Sequence, residues 1–506
     1  MAGAYGLFRE LRPYSLGDVA SELGASLQDA EGAVGDLLSC GIMRYRTGDE
    51  TDEGERADEE DATDDQRLQF RFVGIAIARG LVFVCYPKYI RRGEPTEGEL
   101  RQCLRVIRKL GREGVLPILE DAGQRSDRLA VIVRLLQLYD ECGVYTNFEE
   151  SRELNGNGVI DWQRTVDTLT PVLSHGRPIY LDVWTRKTRR DDFDFVTRLH
   201  QAILTECSCF LEDCGLAGLL GISGVELTGE TPADFGDPGV LNWRLERERA
   251  TQFVTWKQEA IDLMRAYLDG GGIAVDGGET LRLGTTSYYH AWELACKAAF
   301  GDLLDTRLLN LPIKLDDRWH SRGNKTLIQI IPRPLWERPD GEGGFVPCRD
   351  VGTLIPDTVT FVDRADGTSA FCILDAKYYV PEIEAGGSIK RQPGLESVTK
   401  QFLYQSAYRN FVVQNGFDAV VNTFLVPTED AKPRLLARVS FPDVMASLTG
   451  EILQFTDHID MWAIPADEVF DCYLEGRKMT SYAPSALMCR TCLHPQVAKP
   501  RPAHGA

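Results

Sequence analysis

The sequence predicts a multidomain α/β (α+β) protein with a mixed central sheet flanked by helices in its C-terminal half. Three patterns support this fold class: capped helices followed by strand-like runs near the N-terminus, helical periodicity in the middle, and two apolar strands joined by a tight turn later on. We expect an N-terminal domain over 1–95, a mainly helical linking or partner-binding region over 96–275, a domain with the central sheet over 276–480, and a tail over 481–506.

Two short helices and a β-hairpin are predicted within the first 95 residues. Ser15 and Ser26 are good N-caps for the helices, and a glycine follows the last apolar residue of each helix. After a strand over 42–46, two apolar runs on either side of Arg79 and Gly80 predict the hairpin. This order of elements resembles a winged helix.

The charge of the second helix bears on whether such a domain reads DNA. The helix carries Gln28, Asp29, Glu31 and Asp36 but no lysine or arginine. Such a surface is unfavourable beside the phosphates that line a DNA groove. We therefore favour partner docking or packing over base reading for this domain.

A strongly acidic insertion, residues 48–66, interrupts the N-terminal domain. It holds eleven acidic residues and one arginine, which accounts for half of the net charge of −20. Because the segment has almost no apolar content, we expect a disordered, solvated loop. A DNA-mimicking or regulatory arm is the alternative.

The middle region shows apolar residues at helical spacing and two clusters of turn residues. Residues 155–158 predict a turn before a helix over about 162–173, and 270–272 predict a linker before the next domain. A basic run at 186–190 follows a predicted strand. It is either a phosphate-contacting loop or a solvated charge run.

Two acidic residues frame the hairpin predicted in the C-terminal half. If the loop is 365–367, with a glycine in the left-handed conformation, paired residue numbers sum to 732 and Asp357 faces Asp375. Side chains alternate along a strand, so Lys377 lies on the same face as Asp375. The pattern therefore predicts two carboxylates and one ammonium at a single point.

Such a pair of carboxylates calls for a cation. Like charges opposite each other destabilise a sheet, and Mg²⁺ is normally held by one or two carboxylates with water and substrate phosphate completing its shell. Mn²⁺ has the same ligand preference. The ordinary alternative is a Pro-Asp turn with an exposed polar edge, but Asp375 follows four apolar residues, where an unpaired carboxylate is costly.

The segments Pro356-Asp357 and Asp375-Ala376-Lys377 resemble the motif of the PD-(D/E)XK nucleases. That resemblance implies a restriction-endonuclease-like core with an acid on the preceding helix and a polar residue on the following one. Glu293 and Gln401 match these positions, and Gln405 lies one turn beyond Gln401.

The resemblance also implies roles for these residues. Glu293, Asp357 and Asp375 would be metal ligands, Lys377 the catalytic base or charge stabiliser, and Gln401 would position water or phosphate. On spacing alone, Glu293 is equally well a surface acid of its helix.

A narrower resemblance to the LlaJI family of restriction endonucleases covers roughly residues 30 to 480. It rests on the segments 72–75, 86–90, 158–162 with Thr165, 178–180 and 375–379. The resemblance implies a nuclease subunit related to McrC that works with a McrB-like AAA+ GTPase on double-stranded DNA, in an oligomeric assembly. The sequence contains no Gly-x-x-x-x-Gly-Lys-Ser/Thr phosphate loop, so energy would come from a partner.

The expected function is therefore a Mg²⁺-dependent DNA endonuclease subunit of a restriction or phage-defence system. The alternatives are an autonomous sequence-specific type II restriction endonuclease, and a non-enzymatic DNA-binding or regulatory protein on a nuclease fold. Neither a secretion signal nor a membrane-spanning run is visible, so we expect a cytoplasmic protein without membrane contact.

The cysteines predict reduced thiols rather than a disulfide framework. The thirteen cysteines are irregularly spaced in a chain without a secretion signal. Cys472, Cys489 and Cys492, with His494, are a candidate zinc or iron–sulfur site. Only one close pair is present, so we favour unliganded thiols.

Overall fold

The computed structural model describes residues 5–46, 67–113, 128–191, 193–273, 280–341, 343–348, 352–363, 368–383, 387, 389–441 and 455–479. The acidic insertion, the predicted hairpin loop at 365–367, and Cys489, Cys492 and His494 lie outside the described residues.

The described residues form a mixed α/β structure, which confirms the predicted fold class. The strands are β1 (Gly6–Arg9), β2 (Pro13–Tyr14), β3 (Met43–Tyr45), β4 (Leu68–Phe70), β5 (Val73–Ala78), β6 (Leu81–Tyr86), β7 (Asn147–Leu154), β8 (Val159–Ile160), β9 (Val172–Ser174), β10 (Arg177–Ile179), β11 (Trp184–Asp191), β12 (Thr280–Thr285), β13 (Glu337–Pro339), β14 (Phe345–Pro347), β15 (Thr358–Asp363), β16 (Ser369–Ala376), β17 (Glu382–Ile383), β18 (Ile389–Lys390), β19 (Ala419–Thr428), β20 (Arg434–Ser440) and β21 (His458–Pro465).

The α-helices are α1 (Leu16–Leu23), α2 (Leu27–Ser39), α3 (Glu97–Arg112), α4 (Arg128–Cys142), α5 (Trp162–Thr168), α6 (Phe195–Asp213), α7 (Ala217–Leu220), α8 (Pro238–Thr251), α9 (Thr255–Asp269), α10 (Tyr288–Phe300), α11 (Asp317–His320), α12 (Leu395–Ala407), α13 (Arg409–Gln414) and α14 (Ala466–Glu475). Within the described ranges, no helix is both long and apolar enough to cross a membrane.

The chain divides into two compact units. The first unit contains Met1–Gly6, Ala76–Val82 and Asp121–Leu283, and the second contains Leu7–Ile75, Phe83–Glu120 and Gly284–Ala506. Every residue predicted to belong to the site falls in the second unit, together with most of the N-terminal elements.

The helix caps near the N-terminus form as predicted. The Ser15 hydroxyl accepts from the backbone N–H of Asp18, and the Asp18 carboxylate accepts from the Ser15 N–H, which caps α1 from both directions. Gly24 ends that helix in the left-handed conformation, with φ of 61°. Ser26 caps α2, and a three-stranded sheet of order β2-β4-β3 follows. The winged-helix likeness stays a prediction.

The region from 147 to 191 contains strands that the sequence pattern did not predict. The basic run at 186–190 lies in β11, which pairs antiparallel with β7, so the prediction of a loop there is wrong. The helix predicted over 162–173 ends at Thr168. Both paired strands are largely polar, and without alternating apolar residues their pattern does not indicate a strand.

A five-stranded mixed sheet of order β15-β16-β19-β21-β20 forms the centre of the second unit. β16 runs antiparallel to β15 and parallel to β19, and Ala370 to Asp375 are all buried, as in strands that are covered on both faces. Phe371 and Ile373 of β16 share a hydrophobic cluster with Tyr408 and Phe411, at the end of α12 and in α13. Trp292 of α10 donates to the Leu425 carbonyl of β19 at 3.0 Å. The helices therefore hold the central strands firmly in place.

Candidate active site

The register of the β15–β16 hairpin brings Asp357 next to Asp375. Every pair from Thr358 with Leu374 to Asp363 with Ser369 has residue numbers that sum to 732, which confirms the predicted register. Asp357 precedes Thr358 in the chain and Asp375 follows Leu374, so the same register places the two aspartates opposite each other. The backbone N–H of Ala376 donates to Asp357 Oδ2 at 3.0 Å, which fixes this carboxylate beside the end of β16.

Lys377 follows the last residue of β16 and lies beside the two aspartates. Lys377 Nζ lies 2.9 Å from Asp375 Oδ1, and the Lys377 backbone N–H donates to the Leu425 carbonyl at 2.8 Å. Asp375 is only 5% exposed, so its charge has little access to water. The buried carboxylate and its ammonium partner are therefore a structural unit, unlike the exposed polar edge of the alternative interpretation.

The pKa of Asp357 is perturbed by its burial and by its neighbours. Burial raises the pKa of Asp357 well above its usual range, and the charge and hydrogen bond of Asp375 raise it further. Burial acts to lower the pKa of Lys377, but the carboxylates of Asp375 and Asp357 outweigh that effect and raise it. One ammonium therefore faces two acids, and the second negative charge is incompletely compensated.

Glu293 of α10 lies close enough to Asp357 to add to the negative charge around it. Its charge is among those that raise the pKa of Asp357. In the structure Glu293 Oε1 is bound by Lys297 Nζ at 3.0 Å, and Glu293 Oε2 is 3.6 Å from His290 Nδ1. Glu293 is therefore near the aspartate pair but is held by its own helix.

Lys297 is a site residue that the sequence interpretation missed. Besides its contact with Glu293, its pKa is raised by the charges of Glu293, Asp357 and Asp302, although burial opposes the shift. The available signal was its position four residues after Glu293, the spacing of an ion pair along one helix face. The site thus has a second lysine close to its acids.

The side chains of the two glutamines in α12 are buried inside the protein. Gln401 and Gln405 are both 0% exposed. Gln401 Nε2 lies 3.4 Å from the carbonyls of Ile373 and Thr423, and Gln405 Nε2 donates to the Thr456 carbonyl at 2.9 Å. The Oε1 atoms of both glutamines have no hydrogen-bond partner among the described residues. Gln401 thus contacts the backbone two residues before Asp375.

Tyr404, also in α12, has a pKa that depends on the charges of Asp375 and Asp357. Its pKa is raised above the usual range by burial and by the charges of Asp375 and Asp357. Its hydroxyl donates to the Ile355 carbonyl at 2.9 Å, in the segment that leads into Asp357. Tyr404 therefore holds the segment just before Asp357 in place. The sequence interpretation, which considered only Gln401 and Gln405 of this helix, did not include Tyr404.

The donor set fits a hard cation with an incomplete protein shell. In the part of the chain that the structure describes, no three His, Cys, Asp or Glu side chains lie close enough together to form a metal site by themselves. Asp357 and Asp375 supply two carboxylates, and Glu293 would have to leave Lys297 to supply a third. Two carboxylates with the remaining positions left to water and phosphate is the usual arrangement for Mg²⁺.

This arrangement predicts that Asp357→Asn stabilises the protein when no metal is available. The raised pKa of Asp357 means that its stabilising contribution is full below the unfolded carboxyl pKa of 3.8 and is lost as pH rises through the raised folded value. Relief of one like-charge contact, on the order of 1 kcal/mol, should raise the melting temperature at pH 8 in EDTA by about 1–2 °C. The gain should shrink as the pH falls towards 4.

Differential scanning fluorimetry of parent and variant, with EDTA or with Mg²⁺, measures this difference. Mg²⁺ should raise the melting temperature of the parent more than that of the variant. Asp363→Asn, the same change at the exposed end of β15, is the matched control and should show neither effect. A variant that is less stable than the parent at pH 8 contradicts the prediction.

The described part of the C-terminal cysteine set does not form a metal site. Cys472 lies in α14 as a buried free thiol, and Arg477 Nη1 is 3.0 Å from its sulfur. The other predicted ligands, Cys489, Cys492 and His494, lie outside the described residues. A zinc or iron–sulfur centre at these positions stays a prediction.

Comparison with known proteins agrees with the predicted resemblance. The model of the LlaJI restriction endonuclease family matches residues 72–313 and 323–447. YdjA, a component of the type II restriction enzyme BsuMI of Bacillus subtilis (strain 168), is 26% identical over 440 residues, which cover 83% of this chain and 84% of YdjA.

Among solved structures, a half-complex of Thermococcus gammatolerans McrB AAA+ hexamers with bound McrC is similar with a TM-score of 0.35 and 12% identity, covering 93% of this chain and 98% of the matched chain. The family match spans well over half of the sequence and includes Glu293, Asp357, Asp375 and Lys377. The chain therefore belongs to the LlaJI restriction endonuclease family.

Proposed function

We propose that this chain is the DNA-cleaving subunit of a restriction system that acts against foreign DNA such as phage genomes in the cytoplasm. It would hydrolyse phosphodiester bonds of double-stranded DNA with Mg²⁺ or Mn²⁺ at a PD-(D/E)XK site. The observation that carries this proposal is the paired carboxylates of Asp357 and Asp375, which share their edge of the sheet with Lys377.

The site residues divide the chemistry between them. Asp357 and Asp375 would hold the cation, with Glu293 as a further ligand once it releases Lys297. Bound there, Mg²⁺ would lower the pKa of the attacking water and offset charge on the phosphate. Lys377 would orient that water, as base or as charge stabiliser, and its ion pair with Asp375 supports this role. Gln401 would act from beneath by fixing the backbone that carries Asp375.

A partner protein belongs to the proposal. The family resemblance implies a McrB-like AAA+ GTPase in an oligomeric assembly, and the 506 residues contain no phosphate loop that could serve a motor. The relative YdjA is described as a component of its restriction enzyme, which is consistent with an activity shared between chains. We therefore expect DNA cleavage to depend on a second protein and on GTP.

A plasmid-cleavage assay tests the proposal. Purified protein is incubated with unmodified plasmid and Mg²⁺ or EDTA, with and without a McrB-like GTPase from the same organism and GTP. Cleavage that requires Mg²⁺ and the complete set of components is the expected result. Mg²⁺-dependent cleavage by the chain alone would indicate an autonomous type II enzyme. DNA binding without cleavage under every condition would contradict nuclease activity and favour a regulatory role.

A further inference from the structure

A polar cleft in the N-terminal part of the second unit is lined by four arginines. It has a volume of about 1010 Å³ and lies among β1, β2, α1 and the segment that follows β6. The arginines are Arg9, Arg12, Arg67 and Arg91, and Tyr14 and Tyr86 also line the cleft. Because guanidinium groups repel one another, such a grouping requires an anionic counterpart.

Two of the arginines form no ion pair within the described part of the protein. In the described ranges, neither Arg9 nor Arg12 has an ion-pair partner, and Arg12 lies over the Tyr14 ring at 5.3 Å from its centroid. Arg9 is partly buried, and its pKa is lowered by burial and by the nearby charges of Arg91 and Arg12. These two guanidinium groups therefore present a concentrated positive charge.

Three acids line the same cleft, and two of them also accept backbone hydrogen bonds. The Asp18 carboxylate accepts from the backbone N–H of Ser15, and Glu22 Oε1 accepts from the Leu7 N–H at 3.1 Å. Glu94 also lines the cleft and is exposed. Four arginines and three acids line the cleft, so the lining carries one net positive charge, which favours an anion that pairs with Arg9 and Arg12.

Segments that line the cleft contact the segments that follow Lys377 and β19. Arg91 pairs with Glu382 at 2.5 Å, and its backbone N–H donates to Glu429 Oε2 at 2.9 Å. Glu10, next to Arg9, accepts from the Tyr378 hydroxyl at 2.6 Å. These contacts join the lining of the cleft to the segment beside Lys377, as suits a polymer whose phosphates extend away from the cleaved bond.

We propose that this arginine cleft binds the sugar-phosphate backbone of the DNA substrate away from the scissile phosphate, with Arg9 and Arg12 as the contacting residues. The inference rests on the proposed nuclease function. It places the DNA contact on β1 and the turn before β2, whereas α2 has no basic residue. The contact is independent of sequence, because phosphates carry no base identity.

Duplex binding measured by fluorescence anisotropy in EDTA, over a range of salt concentrations, tests this proposal. Arg9→Gln combined with Arg12→Gln should weaken binding at least ~10-fold near 0.1 M salt and reduce the slope of log K against log salt by about two. Arg101→Gln combined with Arg105→Gln removes the same charge from the exposed face of α3. That control should keep the affinity and slope of the parent, and thermal melting of both variants checks their folding.

Each other outcome has a defined meaning. A parent protein that does not bind DNA, or an arginine variant with unchanged affinity and slope, would overturn the proposal. Displacement of the duplex by a mononucleotide at the same ionic strength would overturn it in favour of a small-anion site. Loss of GTPase association with unchanged DNA binding would indicate a protein-docking cleft. Arginine-dependent binding by a protein that never cleaves DNA would support the cleft and reject the nuclease function.

Discussion

Asp375→Asn and Lys377→Met are each expected to reduce Mg²⁺-dependent DNA cleavage by about 10³-fold or more. Asp375 is the buried carboxylate at the end of β16, and the asparagine variant keeps its shape but loses the charge that would hold the cation. Lys377 supplies the only ammonium bonded to Asp375 in the described residues. Single-turnover rates with unmodified plasmid measure both effects.

Binding and folding must be measured beside the rate. Duplex affinity in EDTA should change little. The melting temperature will report the cost of breaking the Asp375–Lys377 ion pair, and rates are compared well below the melting temperature of each variant, so that the lost activity can be assigned to the chemical step. Asp363→Asn at the exposed end of β15 and Lys432→Met in the exposed loop before β20 are matched controls and should cleave at the rate of the parent. Cleavage at the full rate by Asp375→Asn or by Lys377→Met would exclude the proposed site.

The Lys297→Met variant distinguishes the role of Lys297 in cleavage from that of Lys377. Its ammonium is paired with Glu293 at 3.0 Å, and not with either aspartate. If Lys377 is the lysine that acts on water or phosphate, removal of Lys297 should cost less than removal of Lys377. A larger loss for Lys297 would move that role onto α10.

The sequence predicted the carboxylate pair because every determinant of the pair is local. A short loop fixes the register of a hairpin, and alternation along β16 then decides which side chains share a face. Asp357, Asp375 and Lys377 are related by those two rules alone, and the observed register agrees with them. The position of Glu293 on a helix of the right spacing followed from the family resemblance, but its contact with Lys297 did not.

The parts that the sequence did not predict depend on contacts between distant segments. Helical spacing indicated that Gln401 and Gln405 share a face, but not that this face is pressed onto the sheet, where both side chains are fully buried. The strands β7 and β11 pair across more than thirty residues and have little apolar alternation. Such strands form because they pair with each other in the folded protein, and their own residue pattern does not indicate them.

Glu10 is the clearest case of a distant residue that supports the site. Its carboxylate accepts from the Tyr378 hydroxyl at 2.6 Å and from the Lys88 backbone N–H at 3.2 Å. Glu10, Lys88 and Tyr378 are 7%, 9% and 6% exposed. Burial raises the pKa of Tyr378 and the charge of Glu10 adds to it, so the phenol remains a donor. Tyr378 directly follows Lys377, so this cluster fixes the backbone beside the proposed catalytic lysine.

Glu10→Ala is therefore expected to destabilise the protein by about 3 kcal/mol, because it leaves buried donors without their charged acceptor. The same change should lower the cleavage rate at saturating DNA more than it weakens DNA binding, since Lys377 loses its support while the arginine cleft keeps its charge. Urea denaturation followed by circular dichroism measures the stability, and single-turnover cleavage measures the rate.

Two comparisons decide whether Glu10 acts through Tyr378. Glu10→Gln keeps an acceptor of the same length and should recover most of the stability and rate, whereas Tyr378→Phe should lose about 1 kcal/mol because one hydrogen bond is removed. Glu31→Ala at an exposed position of α2 is the control for losing one acid. If Glu10→Ala cleaves at the full rate although its stability falls, the cluster serves folding alone and does not position Lys377. A fall in rate with restoration by glutamine would instead make Glu10 a positioning residue, acting on Lys377 from the opposite end of the sequence.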